Sequence, residues 1–356
     1  MRVTFGRLLS VAMPTKNRSP SVDISSSSSL GFHQNVKNNG TVRPTSNFSG
    51  EEVAKRMHAA FHREMNTDIA TIMEILTTHS NKQRQSIKRH YKLLHDKALE
   101  VDVFDHLGGN FRDLSLMLLQ SPIEFLAEQI HIAIQQVGPE ETTMVELLCN
   151  CNNAKIKNIK EVYYKKYGRD LDSVVKQKPN SDFQRLSRLL LITDRDESPD
   201  VNLELARKDA EMLATAGVGV RYGMDDVVIA SLLRQRSYAH LREMFEQYHI
   251  ISGREIADSI RTDFSGGLRN GLIVLCKAII DSTAFYATHI HEALIGPNPD
   301  DFKLLRLFVA RSELDLADIK DAYLEIYGQK LTGDVSDNTS SGYRKYLLHL
   351  LGQHDN

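Results

Sequence analysis

His289 and His291, and Cys149 and Cys151, are the side chains whose types and close spacing invite a metal or a thiol reaction. Each pair is separated by two positions in a stretch with helical periodicity, so its two side chains point to different faces and neither pair makes a metal site. Three cysteines, the third being Cys276, make no disulfide framework, and none stands in a CxxC pair that signals zinc or redox chemistry. A reducing, cytoplasmic setting fits that usage. Phosphate-binding, nucleophile-elbow, zinc-protease and twelve-residue calcium-loop patterns are all missing, and no nucleophile pairs with a base by spacing, so an enzyme is not expected.

The basic side chains Arg84, Lys88, Arg89 and Lys92 are interleaved along one helical segment and read as a solvated face, with no nucleic-acid partner implied. A formal charge of −2 supplies no global field toward nucleic acid or an anionic bilayer, so membrane attraction must be local or come from a bound cation. The chain has no run of about 20 apolar residues, which makes any membrane contact peripheral. Gly6 and Arg7 interrupt the apolar start, and no targeting signal is expected there.

The elements that must position any site are helices. Apolar residues recur every three or four positions from Glu51 onward, in segments joined by short Gly, Pro, Asn and Asp loops, and no sustained strand alternation occurs. The fold class is all-α. Residues 1–49 are rich in Ser, Asn and Pro and read as a disordered tail, open to a protein partner.

Internal repetition organises the rest. Four ungapped segments superimpose, over 79–99, 151–171, 236–256 and 311–331. Their ninth position is Ile87, Ile159, Met244 or Ile319; their thirteenth is Tyr91, Tyr163, Tyr248 or Tyr323; their last is Leu99, Leu171, Ile256 or Leu331. The ninth and thirteenth share a helix face, so the tyrosines are packing residues. Gly168, Gly253 and Gly328 follow five residues later, where positive φ ends a helix, and Asp96 takes that place in the first copy. A spacing near 75 residues accommodates five short helices. The implied organisation is tail 1–49, repeats at 50–121 and 122–193, a polar linker at 194–205, and repeats at 206–281 and 282–356.

This pattern resembles the annexin family over about 300 residues, carried by the segments 78–88, 236–253 and 311–320, the order of the four copies and the long central connection. The resemblance implies a curved disc of four five-helix repeats that binds calcium through loops on its convex face. Family calcium loops place glycine-rich backbone carbonyls opposite a carboxylate about 40 residues on, as a hard cation wanting six to eight oxygens requires. In repeat 3, TAGVGVRYGMD over 215–225 puts Gly217, Arg221 and Gly223 at the family's carbonyl positions, with Asp263 as the carboxylate and Tyr222 at the loop tip for membrane contact. Val218 is an alternative donor to Gly217. In repeat 4, LIGPNPD over 294–300 offers Leu294, Gly296 and Asn298, with Asp337 as the carboxylate, although one extra residue leaves its alignment open.

Repeats 1 and 2 depart from the family pattern. Glu64 and Asn66 fill the glycine positions of the first loop and His106 replaces its distant acid; the second loop keeps only Gly138, and Lys178 or a neighbour stands where its acid belongs. The family's channel-lining arginine survives as Arg236 and Arg311 but is His79 and Cys151 in the other copies, so the central pore should be altered. Two functions remain open: calcium-dependent docking on anionic phospholipid through repeat 3 and, more weakly, repeat 4, or a calcium-insensitive scaffold that binds cytoskeletal or other proteins. The first implies a cytoplasmic protein that becomes peripheral to membranes on calcium binding; unconventional secretion stays open.

Overall fold

The computed structural model describes residues 39–64, 66–136, 141–217, 226–296 and 299–353, and among them the secondary structure is helical throughout. The first repeat consists of α1 (Gly50–Phe61), α2 (Ile69–Thr78), α3 (Asn81–His95), α4 (Leu99–His106) and α5 (Gly109–Leu119). The second contains α6 (Pro122–Gln135), α7 (Glu141–Leu148), α8 (Asn153–Tyr167), α9 (Leu171–Lys176) and α10 (Ser181–Leu190). The third runs through α11 (Leu203–Gly217), α12 (Asp226–Gln235), α13 (Tyr238–Ser252), α14 (Ile256–Asp263) and α15 (Gly266–Ile280). The fourth is α16 (Ser282–Leu294), α17 (Asp301–Arg311), α18 (Leu316–Tyr327), α19 (Leu331–Asn338) and α20 (Ser341–Leu350).

Local sequence sets these boundaries. Ser80 and Ser121 form reciprocal capping boxes with Gln83 and Glu124, satisfying amide groups that the first turn leaves open. The third helix of each repeat ends on a left-handed residue: Asp96 at φ 50°, and Gly168, Gly253 and Gly328 at 66–67°. Only the first of these positions has a Cβ that must tolerate the conformation.

In each repeat the first helix packs on the third, α1 on α3, α6 on α8, α11 on α13 and α16 on α18. The aligned tyrosines lie at the centre of these contacts, with Tyr91, Tyr163 and Tyr323 no more than 1% exposed and Tyr248 at 5%. Across repeats, α15 packs on α7 and α10, while α5 packs on α17 and α20 and α2 on α20. Repeats 2 and 3 thus associate, as do 1 and 4.

A buried ion cluster links repeats 2 and 4. The Glu146 carboxylate accepts from Arg306 at 2.6 Å and lies 2.6 Å from His289 Nδ1. Burial pushes its pKa up, but His289, Arg306 and Lys303 outweigh that and bring it down to about 2. His291 faces elsewhere, 2.8 Å from the Tyr323 hydroxyl, as two-residue spacing on a helix requires. Cys149 and Cys151 are buried and free, and burial pushes the Cys149 thiol up to about 12.

Three expectations need adjusting. Arg84 is not on a solvated face: it is 2% exposed, donates to the carbonyls of Leu76, His79 and Leu118, and pairs with Glu313 of repeat 4 at 2.6 Å. A long side chain on a helix surface turns inward when a neighbouring repeat covers it and carbonyls are left to satisfy. The stretch 39–48, read as part of the tail, is held by the repeats, residues 39–42 on repeat 4 and Thr45 and Phe48 on Thr78, His79 and Gln83 of repeat 1. Val42 N donates to Ser312 O, Ala317 N to Asn39 O, and a Cβ on Gly40 would come within 2.5 Å of the Glu313 carbonyl carbon. Residues 1–38 are outside the described part of the chain. The central linker, finally, gives up 203–205 to α11 and is fastened down, with Arg195 O accepting from Asn153 and the Arg195 guanidinium 4.2 Å from the Tyr238 ring centroid.

Candidate metal sites

The fourth helix of every repeat begins at the last residue of the aligned segment, Leu99, Leu171, Ile256 or Leu331. In α4, α14 and α19 it runs eight residues, and the next amide closes the final turn: Leu107 N to Val103 O, Phe264 N to Ile260 O and Thr339 N to Val335 O, at 3.0–3.1 Å. The eighth place is therefore equivalent across repeats. It holds His106 in repeat 1, Asp263 in repeat 3 and Asn338 in repeat 4; in repeat 2, where α9 stops early, the eighth place is Lys178.

Repeat 3 alone has a carboxylate there. Asp263 is half-buried and has no hydrogen-bond or ion-pair partner among the described residues. Gly217 is the last residue of α11, so it opens the loop that leads to α12. Arg221, Tyr222 and Gly223, with Val218, lie outside the described residues.

Repeat 4 brings its expected donors together less well. Leu294 is the last residue of α16 and is fully buried, while Gly296 at φ 151° turns the chain out toward solvent. Asn298 lies outside the described residues. Asp300 N donates to Ala293 O at 2.9 Å, clipping the loop shut. Asp337 occupies the seventh place of α19 and is exposed; Asn338 occupies the eighth and already donates to Asp334 O at 2.9 Å. An amide oxygen is a single neutral donor, so the eighth place of repeat 4 has no carboxylate such as Asp263.

Repeat 1 uses the same clip, Asp68 N to Ala60 O at 2.8 Å, but fills the site with nitrogen donors. His62, the C-cap of α1, has Nε2 3.5 Å from Asp102 Oδ2, and His106 Nδ1 lies 3.9 Å from Asp102 Oδ1. Ligand atoms of the three residues all lie within 4.8 Å of one another. Glu64 is exposed beside them without forming an ion pair among the described residues. Sequence reasoning reached His106 but missed His62 and Asp102. A fourth-place residue of the fourth helix was there to be aligned: Asp102, Val174, Ser259 and Asp334 each stand eleven residues after the repeat's tyrosine.

In repeat 2, Gly138 is outside the described residues. Lys178 puts an ammonium at the carboxylate's place, which repels a cation.

The four-repeat architecture agrees with comparisons to known proteins. The family model described as Annexin matches residues 52–118, 125–190, 208–275 and 285–350. Annexin A13 of Mus musculus is 35% identical over 304 residues, covering 85% of this chain and 95% of that protein. Annexin A11 of Oryctolagus cuniculus is also 35% identical, over 318 residues, but the match spans only 63% of its length. Among solved structures, annexin III superimposes with a TM-score of 0.84 at 33% identity, over 90% of this chain and 99% of that one. Calcium-bound annexin (Sm)1 gives 0.78 at 28% identity, over 90% and 94%.

Proposed function

Because the chain belongs to the annexin family, we propose that it docks on anionic phospholipid membranes when calcium rises, with repeat 3 carrying most of the binding. Calcium-dependent phospholipid binding is the general activity of that family, and a calcium-bound relative, annexin (Sm)1, shares the fold. The supporting observation is the eighth place of the fourth helix: of His106, Lys178, Asp263 and Asn338, only Asp263 offers a carboxylate.

The donor chemistry fits the ion. Gly217, Arg221 and Gly223 would supply backbone carbonyls, and Asp263 would close the shell with two charged oxygens. When bound, calcium supplies the positive charge that the chain's near-neutral balance lacks, and its remaining coordination places suit a lipid phosphoryl oxygen. Tyr222 would lay an amphipathic ring among the headgroups. Repeat 4 contributes less, through Leu294, Gly296 and Asn298, because its carboxylate, Asp337, is offset by one residue. Among the described residues, no helix is long and apolar enough to cross a membrane, in keeping with peripheral docking.

The test is co-sedimentation with phosphatidylserine vesicles in calcium and in a calcium chelator, with phosphatidylcholine vesicles as control. Binding only with calcium and phosphatidylserine is expected. Equal binding in both solutions would favour the calcium-insensitive scaffold instead.

A further inference from the structure

We propose that repeat 1 holds a site for a divalent first-row transition ion of the zinc class, formed by His62, Asp102 and His106 where a calcium-type carboxylate has been replaced by imidazole. It is independent of the calcium reading of repeat 3, and either can fail without the other.

The geometry is near that of a three-ligand zinc shell. Ligands about 2.1 Å from a tetrahedral ion sit roughly 3.4 Å apart. His62 Nε2 stands 3.5 Å from Asp102 Oδ2, and ligand atoms of the three residues all lie within 4.8 Å of one another, so rotamer changes of the two exposed-edge imidazoles would draw the set together around an ion. His106 and Asp102 are one turn apart on α4, so the helix itself fixes their spacing. His106 Nδ1 is 3.0 Å from the Asp102 carbonyl, a hydrogen bond that orients the ring and leaves the other nitrogen its lone pair, as in histidine metal ligands generally. His62 reaches in from the end of α1, backed by the His58 ring at a centroid distance of 4.3 Å.

The donor set discriminates between ions. Calcium demands six to eight oxygens, and two imidazoles supply none, whereas zinc takes nitrogen and carboxylate readily. The Lys97 ammonium presently neutralises Asp102 and competes with an entering ion. Its side chain is 38% exposed and also pairs with Asp105 at 3.1 Å, so it has somewhere to go when Asp102 is taken. The Tyr91 hydroxyl donates to Asp102 from beneath and steadies the carboxylate. His62, with 41% of its side chain exposed, leaves a fourth place open to water.

The experiment uses the full chain, titrated with zinc against a chromophoric chelator in excess calcium, and with cobalt for its visible absorption. One zinc per chain is expected, undisturbed by calcium, with the d–d bands of a low-coordinate cobalt site containing nitrogen ligands. His62→Gln should weaken binding by more than about 10-fold, since even the loss of a supporting partner has that effect. His62→Gln with His106→Gln should abolish both the zinc and the cobalt signal, while Lys97→Met strengthens binding. Asp102 is left in place because it is buried against Tyr91, and circular dichroism confirms that the histidine variants fold. Absence of zinc binding in the wild type, or a zinc affinity unchanged in the double variant, would overturn the proposal.

Discussion

Repeats 1 and 3 end their fourth helices on the same backbone, eight residues closed by the same hydrogen bond, yet one presents His106 and the other Asp263. One turn earlier, the inward-facing position differs as well. In repeat 1 the buried Asp102 takes the Tyr91 hydroxyl and the Lys97 ammonium; in repeat 3 the uncharged Ser259 stands in that place and takes the Tyr248 hydroxyl at 2.8 Å. The helix scaffold is thus indifferent to which ion its end can hold. On the proposals made above, the side chain at the eighth place and the residue one turn below set the choice together.

The largest effect should come from making repeat 3 resemble repeat 1. Asp263→His removes the bidentate oxygen donor and should raise the calcium needed for half-maximal vesicle binding by more than about 10-fold, read by co-sedimentation across a calcium titration. An unchanged requirement would show that another loop carries the binding.

Next in size is the hydroxyl beneath each site. Tyr91→Phe strips a donor from a buried carboxylate and should cost about 2 kcal/mol, whereas Tyr248→Phe breaks a neutral pair and should cost about 1 kcal/mol. Urea unfolding of the two variants side by side checks the order, and a larger loss for Tyr248→Phe would contradict the contrast drawn between a charged and a neutral partner of the tyrosine.

The smallest effects are at the helix stops. Asp96→Gly relieves a left-handed residue and should stabilise the protein by about 1 kcal/mol, while Gly253→Ala should destabilise it by about as much. The exposed Lys92–Asp96 pair, lost in the first variant, contributes little. Shifts of the same sign in thermal melting would mean that the two stops are not equivalent after all.

Much of this was legible in the sequence because the repeats keep residues that geometry needs. Ile87, Ile159, Met244 and Ile319 share a face with their tyrosines, and the three glycines and Asp96 mark the helix ends; the structure has all of them in those roles. The same alignment, carried seven residues beyond Leu331, reaches Asn338, so the amide at the end of repeat 4 was readable from spacing alone. Other features were not, because they depend on contacts between distant segments. Arg84 finds its charged partner, Glu313, in repeat 4, 229 residues away, and its carbonyl partners on Leu76, His79 and Leu118. His62 meets His106 only because α1 and α4 end side by side. The hold of Asn39 to Val42 on repeat 4 joins backbone hydrogen bonds to Ser312 and Ala317 with side-chain bonds of Asn39 to Asp318 and of Thr41 to Ser312 and Leu350, partners about 270–310 residues away that no local pattern marks.

The central claim, that calcium-driven membrane binding is concentrated at one carboxylate, meets its most direct test in a vesicle co-sedimentation titration of Asp263→Asn beside Asp337→Asn. Asp263→Asn should shift the calcium requirement by more than about 10-fold and Asp337→Asn by less than about 3-fold, since the proposal gives the closing role to the carboxylate at the eighth place, where repeat 4 has Asn338. Equal shifts, or a larger one for Asp337→Asn, would contradict it.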